Sequence, residues 1–417
     1  MKFTQYNITP EIKNNLTRLG FKKPTDIQYK SIPSIMDGED VLAVAQTGTG
    51  KTAAFAIPVI DKIHSAKSSR RSVGIKCIVM VPTRELAMQI GEVFNKLSRH
   101  TKVKTFALYG GVEQDSQIKK LQDGIDVLIS TPGRMFDLIH QKHLRLNNIE
   151  TLILDEADRM LDLGFIEDIK FIKRILKKKH QTLFFSATIN PEIKKLAFSQ
   201  VKSSAIRIQI SPKDPVSKNV SHFVMFVEMD DKRFFLERFI KENPNRKILV
   251  FVRTRVRAER VAKAMKRVNI DTSTLHGDKE QVERTDVMKN FKEGESQILI
   301  ATDVSARGID IPDIRYVINY DLPDEAENYV HRVGRTGRGF NKGIALSFCA
   351  KEEQDRLEEI QTFLSKKIEP IKVSKKSYSL TTSADQGTDP VQKLIEENEI
   401  LPKKKVKKKI KKPKKKK

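Results

Sequence analysis

The sequence predicts an α/β protein with two consecutive domains, each a mostly parallel sheet covered by helices, followed by a lysine-rich tail. Short apolar runs rich in valine and isoleucine recur along the chain with helix-like stretches between them. This rhythm is typical of parallel strands that are buried on both faces. At 417 residues the chain also exceeds the roughly 250–300 residues that one hydrophobic core usually holds, so two domains are expected.

The apolar runs fall into two sets with a proline-containing gap between them. They lie at residues 40–45, 75–81, 126–130, 151–154 and 182–187 in the first set, and at 247–252, 297–303, 315–320 and 343–348 in the second. The gap is polar, which suits a linker. We therefore predict a first domain over residues 1–208, a linker over 209–218, a second domain over 219–369, and a disordered tail over 370–417, where apolar residues are scarce.

Positive charge is spread over the whole chain. The formal net charge is +25, and twelve of the fifteen residues from Lys403 to Lys417 are lysine, so the rest of the chain still carries +13. A body that is basic in its own right favours a polyanionic partner. The alternative, that the excess lysine only keeps the protein in solution, is equally open on composition alone.

Composition excludes several classes of protein. No apolar run approaches the roughly 18–20 residues that span a bilayer, and residues 1–10 lack the pattern of a secretory signal. We therefore expect a cytoplasmic protein without membrane contact. The two cysteines, Cys77 and Cys349, are too few for a disulfide framework or a zinc site, and we expect both to be inert core residues.

A glycine-rich loop follows the first apolar run. The segment from Ala45 to Thr52 reads AQTGTGKT and precedes a helical stretch. Its backbone N–H groups and the helix N-terminus would hold phosphates, Lys51 would reach the β- and γ-phosphates, and Thr52 would bind Mg²⁺. The general phosphate-loop pattern has Gly where this chain has Ala45, but the strand–loop–helix context supports the assignment.

An acidic segment, DEAD, runs from Asp155 to Asp158 directly after the apolar run at 151–154. A carboxylate that follows a buried strand beside a phosphate loop is placed to hold Mg²⁺, and we assign this role to Asp155. Glu156 would orient and deprotonate an attacking water. Taken alone, such a tetrapeptide is usually a solvated helix start, but its position after a strand and downstream of a phosphate loop favours the catalytic interpretation.

Further short motifs follow in a fixed order. In the first half they are Phe3, GFKKPTDIQ (20–28), PTREL (82–86), the glycine pair at 110–111, TPGR (131–134) and SAT (186–188). In the second half they are VFVRT (250–254), HGD (276–278), Gln281 with Arg284, ATD through ARGID (301–310) and HRVGRTGR (331–338). Together with the two segments above, they resemble the DEAD-box family of ATP-dependent RNA helicases over residues 3–350, and the surrounding sequence looks most like the bacterial RhlE-type subgroup.

The resemblance implies two tandem RecA-like domains that use ATP and Mg²⁺. The nucleotide-binding residues of the first domain would be Phe3, Phe21, Thr25, Gln28, Gln46, Thr47, Gly48, Thr49, Gly50, Lys51 and Thr52. Thr52 and Asp155 would hold the metal. Gln28 would read the adenine edge, which offers one donor and one acceptor, and Phe3 would stack on the base, with a packing role for Phe3 as the alternative.

The resemblance places the remaining catalytic groups in the second domain. Arg335 and Arg338 would meet the γ-phosphate, where a permanently charged guanidinium suits the developing charge, so hydrolysis would require closure of the two domains. Asp310 would hold the ribose. His331 would couple the phosphate site to the acidic segment, and a structural histidine is the alternative.

Two residues of the first domain resemble the family's coupling motif. Ser186 and Thr188 would bind back to the acidic segment. A simple strand end is the alternative for this pair. A serine nucleophile is not supported, because no partner base is indicated.

RNA is the polyanion that the resemblance implies. The family's RNA-binding positions correspond to Pro82, Thr83, Arg84, Gly110, Gly111, Thr131, Arg134, Arg253, Gly277, Gln281, Arg284, Thr302 and Arg307. Arginine, threonine and glycine at strand ends suit phosphate contacts, which carry little sequence information. We therefore expect binding of single-stranded and duplex RNA that is largely independent of sequence, and the preference for RNA over DNA rests on the resemblance.

The predicted activity is ATP-dependent unwinding of short RNA duplexes or remodelling of RNA–protein complexes. An ATP-gated RNA clamp that anchors partner proteins is an alternative that uses the same residues, and a DNA-directed motor is disfavoured by the family match.

The lysine-rich tail has three interpretations: an RNA tether, a contact for an acidic protein, or a solubilising appendage. Ribosomal and RNA-decay assemblies are candidate partners, and we expect a monomeric core.

Overall fold

A computed structural model describes residues 2–46, 48–210, 219–306, 311, 313–337 and 342–382. It contains two seven-stranded sheets, and every strand pairing within them is parallel. Helices cover both faces of each sheet. The predicted fold class, two consecutive parallel α/β domains, is therefore confirmed.

The first sheet has the strand order β3-β4-β2-β5-β6-β1-β7. Its strands are β1 (Val41–Ala45), β2 (Cys77–Met80), β3 (Thr105–Leu108), β4 (Val127–Ser130), β5 (Thr151–Leu154), β6 (Gln181–Ser186) and β7 (Ile206–Ile210). Its helices are α1 (Pro10–Arg18), α2 (Asp26–Met36), α3 (Lys51–Ala66), α4 (Arg84–Leu97), α5 (Gln114–Gln122), α6 (Pro132–His140), α7 (Ala157–Asp162), α8 (Ile166–Ile175) and α9 (Pro191–Gln200).

The second sheet has the strand order β10-β11-β9-β12-β13-β8-β14. Its strands are β8 (Val220–Phe226), β9 (Ile248–Phe251), β10 (Ser273–Leu275), β11 (Ile298–Ala301), β12 (Tyr316–Asn319), β13 (Gly343–Cys349) and β14 (Glu369–Ile371). Its helices are α10 (Lys232–Glu242), α11 (Arg255–Arg267), α12 (Gln281–Glu293), α13 (Asp303–Ala306), α14 (Ala326–Val333), α15 (Gln354–Phe363) and α16 (Lys375–Thr382).

The central strands are apolar throughout because each contributes to a core on both faces of its sheet. In β2, Ile78 and Met80 pack into one core, and Cys77 and Val79 pack into the other. Burial raises the pKa of both cysteine thiols, that of Cys349 to about 11, which fits the inert role expected of them. Within the described ranges, no helix is long and apolar enough to cross a lipid bilayer.

Strands that the sequence did not predict lie mainly at the sheet edges. β3 and β7 are the two edges of the first sheet, and β10 and β14 are those of the second. An edge strand pairs on one side only, so its composition is more polar and its signal weaker. The predicted linker therefore began too early, because Gln209 and Ile210 belong to β7, while residues 211–218 lie outside the described part of the chain.

The predicted start of the tail at residue 370 is wrong. β14 pairs with β8, and α16 packs on α10 through Tyr378, whose ring centroid lies 5.1 Å from that of Phe235. The hydroxyl of Tyr378 also donates a 2.8 Å hydrogen bond to Oδ2 of Asp231. A few apolar contacts are enough to hold this polar segment against the domain, and residues 383–417 lie outside the description.

A buried charge cluster holds the second domain together around Lys232. Its side chain is fully buried, and its ammonium binds the carboxylate of Glu353 and donates a 2.7 Å hydrogen bond to the carbonyl oxygen of Tyr320. Asp321 lies 3.6 Å from the same ammonium and accepts a 3.2 Å hydrogen bond from the backbone N–H of Arg253. Burial lowers the pKa of Lys232, and Glu353 opposes this effect.

Replacing Lys232 with methionine should destabilise the second domain by about 3–5 kcal/mol, because the buried carboxylate of Glu353 would lose its cation, while Asp321 keeps Arg257 at 2.9 Å. The free energy of unfolding can be measured by urea denaturation of the full chain. Lys241→Met is a matched control on the same helix, since Lys241 makes an exposed pair with Glu237. Its cost should stay below about 0.5 kcal/mol, and equal costs for the two variants would contradict this account.

Candidate functional site

Three loops of the first domain meet at one edge of its sheet. β5, β6 and β1 are parallel neighbours, so their carboxyl ends lie side by side. The glycine-rich loop follows β1, the acidic segment follows β5, and the segment with Ser186 and Thr188 continues from β6. The strand order therefore brings together the three motifs that were assigned to nucleotide hydrolysis.

Lys51 begins α3, and its side chain lies against the end of β1. Its buried ammonium donates a 2.8 Å hydrogen bond to the carbonyl oxygen of Ala45. Gly50 has a left-handed backbone with φ of 95°, which lets the loop run directly into the helix. The hydroxyl of Thr49 donates a 2.7 Å hydrogen bond to the carbonyl oxygen of Gln46 and closes the loop. A buried ammonium beside a helix N-terminus favours binding of an anion.

Gln28 connects α2 to the glycine-rich loop. The side chain is buried, its Nε2 donates a 3.1 Å hydrogen bond to the carbonyl oxygen of Gly50, and its Oε1 accepts one of 3.0 Å from the N–H of Thr25. A Cβ atom on Gly50 would collide with this amide, so the contact requires glycine. A glutamine amide has two donor hydrogens and two acceptor lone pairs, so one donor and one acceptor remain for a ligand.

The aromatic ring that was predicted to stack on a base is part of the core. Phe3 is only 3% exposed, and its ring centroid lies 6.0 Å from that of Tyr6 and 5.9 Å from that of Phe21. This supports the packing alternative for Phe3, because a buried ring has no free face to offer. Phe21 is half-buried and packs on Phe3, so it is the more accessible of these two rings.

The acidic segment begins immediately after β5. Asp155 is buried, and Glu156 has a left-handed backbone with φ of 50°, a conformation that non-glycine residues adopt rarely and often at functional sites. Burial raises the pKa of Asp155 to about 7, while Lys51 lowers it and Glu156 raises it. The ammonium and the two carboxylates therefore lie close enough to influence one another.

The available donor atoms suit Mg²⁺ shared between protein and phosphates. In the described residues no group of three or more His, Cys, Asp or Glu side chains could hold a metal on its own. Mg²⁺ at phosphate sites usually takes one or two carboxylates, phosphate oxygens and water. The buried Asp155 and the hydroxyl of Thr52, in the first turn of α3, fit this pattern. A divalent cation would also favour the charged form of Asp155.

Asp158 connects the acidic segment to the loop after β6. Its Oδ2 accepts hydrogen bonds of 3.0 Å from the N–H of Ala187, 2.9 Å from the N–H of Thr188 and 3.1 Å from the hydroxyl of Thr188. The predicted contact of Thr188 with the acidic segment is thus present. The hydroxyl of Ser186 is buried without a hydrogen-bond partner in the described part of the chain. The coupling role of both residues stays a prediction.

The second domain presents its predicted residues at the corresponding edge of its own sheet. β9, β11 and β10 are neighbours, and Arg253, Thr302 and Gly277 follow them directly or within two residues. Arg335 follows α14, is buried, and donates a 3.0 Å hydrogen bond from Nε to the carbonyl oxygen of His331. The nucleic-acid-binding candidates Arg253, Thr302 and Gly277 therefore share one edge, whereas Thr336, next to Arg335, donates a 2.5 Å hydrogen bond to the carbonyl oxygen of Ile314, which precedes β12.

Predicted nucleic-acid-binding residues of the two domains contact each other. Nη1 of Arg84 donates a 3.3 Å hydrogen bond to Oε1 of Gln281. Nη2 of Arg284 lies 2.6 Å from Oε1 of Glu85, and both of these side chains are nearly buried. The N-terminus of α4 in the first domain therefore contacts α12 in the second.

Positive charge accumulates at this contact. Burial lowers the pKa of Arg84, and the nearby Arg284 and Arg134 lower it further, against the effect of Glu85. Two other guanidinium groups thus lie near enough to Arg84 to affect its pKa, and Glu85 pairs with one of them, that of Arg284. A bound polyanion would offset their mutual repulsion.

Some functional candidates were missed, and others lie outside the described residues. Arg332 is fully buried, pairs with Asp303 at 2.6 and 2.7 Å, and donates a 2.6 Å hydrogen bond to the carbonyl oxygen of Asp321. Glu85 was missed as well, although an acid within an otherwise basic motif was a signal for an ion pair. The residues outside the description are Thr47, Arg307, Asp310 and Arg338, and their roles stay predictions.

Comparison with known proteins identifies the family. Residues 25–196 match the DEAD/DEAH box helicase family, and residues 231–339 match the helicase conserved C-terminal domain. The chain is 38% identical over 367 residues to the DEAD-box ATP-dependent RNA helicase CshA of Bacillus cereus (strain ATCC 10987). The aligned region covers 88% of this chain and 69% of that protein. It is also 38% identical over 371 residues to the ATP-dependent RNA helicase RhlB of Shewanella oneidensis, covering 88% of this chain and 84% of the relative.

Solved structures agree with this family. The structure of S. cerevisiae Dbp5 bound to RNA and ADP BeF3 aligns with a TM-score of 0.80 and 29% identity, covering 92% of this chain and 100% of that one. The chain belongs to the DEAD-box family of ATP-dependent RNA helicases. The RhlE-type subgroup stays a prediction, because the relatives named above are CshA and RhlB.

Replacing Gly111 with alanine should weaken the apparent affinity for RNA about tenfold, because the new Cβ would collide with the guanidinium of Arg84 and displace a charged hydrogen-bonding group. The measurement is the RNA concentration that gives half-maximal stimulation of ATP hydrolysis. Gly164→Ala is the matched control: its φ is 82° against 77° for Gly111, but a Cβ there meets no atom within 4 Å. Equal weakening by both variants would attribute the effect to backbone strain alone.

Proposed function

We propose that the protein is an RNA-dependent ATPase that closes its two domains on single-stranded RNA and thereby separates short duplexes. The contact between α4 and α12 carries this proposal, because RNA-binding candidates of both domains converge there around a shared excess of positive charge. Relatives named as ATP-dependent RNA helicases support it. So does the similar Dbp5 structure, which holds RNA together with ADP BeF3.

ATP is assigned to the buried site of the first domain. Lys51 binds the β- and γ-phosphates, and Glu156 orients the attacking water and accepts its proton. Mg²⁺, held by Thr52 and Asp155, would neutralise charge on the phosphates. The burial of these groups strengthens each electrostatic interaction at the site.

The second domain completes the nucleotide site when the two domains close. Arg335 and Arg338 stabilise the charge that develops on the γ-phosphate, and Asp310 holds the ribose. His331 couples this region to the acidic segment. Because these groups and Lys51 belong to different domains, ATP hydrolysis is slow until the domains come together.

RNA favours the closed arrangement because it contacts both domains at once. Arg84 and Arg134 contribute guanidinium groups from the first domain, and Arg284 contributes one from the second. These groups contact phosphates, so binding depends little on base sequence. Closure on one strand distorts it and displaces the complementary strand, and hydrolysis allows the domains to separate and release the product.

The clamp alternative is not favoured, because the relatives named above are helicases. Several finer predictions are kept as proposals: binding to ribosomal or RNA-decay assemblies, a monomeric core, a cytoplasmic location, and a preference for RNA over DNA. The last of these follows from the family, and it is the easiest to test directly.

Single-stranded RNA should stimulate ATP hydrolysis strongly, and DNA of the same sequence should not. Glu85→Gln should reduce the RNA-stimulated rate by about 10–100-fold, because it neutralises the carboxylate of the buried ion pair that Glu85 makes with Arg284 between the domains. Steady-state phosphate release measures both effects.

The control is Glu92→Gln, which removes an exposed contact between the same two helices, Glu92 to Lys292 at 4.0 Å. It should change the rate by less than about twofold, since exposed pairs contribute little. Equal stimulation by DNA, or none by either nucleic acid, would refute the proposed function.

Gln28→Ala should reduce the preference for ATP over GTP. The free donor and acceptor of Gln28 match adenine, whereas guanine presents two acceptors at the same edge, and a bidentate pair contributes about 1–3 kcal/mol of discrimination. We expect the ratio of ATP to GTP affinity, measured by competitive nucleotide titration, to fall about tenfold or more. Loss of the hydrogen bond to Gly50 should weaken both nucleotides equally, so an unchanged ratio would limit Gln28 to positioning the loop.

A further inference from the structure

Helix α11 carries an unusual excess of positive charge. Its sequence, RVRAERVAKAMKR, contains six cationic residues and one acidic residue, Glu259. Five of the cationic side chains are exposed: Arg255, which pairs with Asp278, and the four that follow it, those of Arg260, Lys263, Lys266 and Arg267. We call these four residues the α11 basic surface.

Among the residues that the structure describes, the α11 basic surface has no ion-pair partners. Within the described ranges none of its four side chains lies within 4.0 Å of a carboxylate, whereas cationic residues on the adjacent α10 are paired, such as Arg238 with Glu242 and Lys241 with Glu237. Lys266 and Arg267 are in the last turn, where the helix dipole favours a cation. That explanation does not extend to Arg260 and Lys263 in the middle of the helix, where like charges three residues apart repel each other.

The helix begins at the proposed RNA site and leads away from it. Arg253, a predicted RNA-binding residue, immediately precedes Thr254, the N-cap of α11. Arg260, Lys263 and Arg267 follow at helical spacing, so they share one side of a helix that is about 20 Å long. A nucleic acid strand that leaves the cleft past Arg253 would therefore meet a row of unpaired cations.

The described chain ends on the same face of the second domain. α10 packs between α11 and α16, and residues of all three helices contact the same core. The described chain ends with α16, at Thr382, and the lysine block from Lys403 to Lys417 follows in the sequence. On the opposite face of the sheet, α15 has a net negative charge, because it carries three acidic residues and one arginine.

We propose that the α11 basic surface is a second RNA-binding surface, outside the cleft, that holds the phosphate backbone of RNA extending from the closed domains. This inference rests on the proposed function, because it assumes that RNA occupies the cleft. RNA is favoured over an acidic protein because the surface is continuous with Arg253 at the cleft. Exposed cations bind phosphates without base specificity and release counterions.

The experiment compares two triple variants of the full chain with equal loss of charge. The test variant is Arg260→Gln, Lys263→Gln and Arg267→Gln, and the control is Lys177→Gln, Lys178→Gln and Lys179→Gln. The control residues form an exposed run before β6, at the end of the first sheet opposite the cleft. Glutamine is a good helix former, so α11 should persist, which circular dichroism checks.

RNA affinity is measured against salt concentration with two oligonucleotides: a long one, and the shortest that still stimulates ATP hydrolysis. We expect the test variant to lose about 2 units of the slope of log affinity against log salt for long RNA, roughly 0.7 for each lost phosphate contact. The short RNA should bind the test variant as it binds the unaltered protein. The control should leave both values unchanged.

Three results would overturn the inference. An unchanged slope for long RNA would mean that the surface does not bind RNA and would leave an acidic protein as its partner. An equal loss of slope in the control variant would mean that the effect comes from the net charge of the protein and not from α11. An equal loss for the short oligonucleotide would place the effect in the cleft. A failure of the proposed function is distinguishable, because the unaltered protein would then show no stimulation by either RNA.

Discussion

Parallel strand pairing is the constraint on which both sites depend. All strands in a parallel sheet end at the same edge, so residues that follow different strands are neighbours in space although they are far apart in sequence. In the first domain, β5, β6 and β1 bring Asp155, Thr188 and Lys51 to one edge. The second sheet does the same for Arg253, Gly277 and Thr302. No single loop contains a site, and the rigid sheets fix the distances between the loops.

Buried ion pairs then hold the active loops of the second domain in place. Arg332 joins α14 to the residues after β11 and β12 through Asp303 and the carbonyl oxygen of Asp321. Asp321 also accepts the backbone N–H of Arg253 and lies near the buried Lys232. A buried charge that loses its partner is strongly destabilised, so each pair permits one arrangement of its loops. These buried ion pairs thereby hold the candidate residues at the cleft in place.

The sequence predicted most of the central strands and the glycine-rich loop after β1, because continuous apolar runs and glycine-rich loops have direct signatures. It could not predict β10 or β14, whose three-residue lengths and edge positions leave little pattern. Where a motif allowed more than one role for a residue, the packing of its side chain in the structure distinguished between those roles. Phe3 was assigned to the base by resemblance, but its neighbours Tyr6 and Phe21 bury it. Glu85 and Arg284 belong to different domains, and no local pattern pairs them.

The balance of charge at the contact between the domains explains why RNA and ATP would act together. Arg84, Arg134 and Arg284 repel one another when the domains meet, and Glu85 offsets only part of that repulsion. Phosphates at this contact would offset that repulsion and so favour closure. In the proposed mechanism, closure also brings Arg335 toward the site of Lys51. Because both ligands prefer the same arrangement, each must raise the affinity for the other by the same factor.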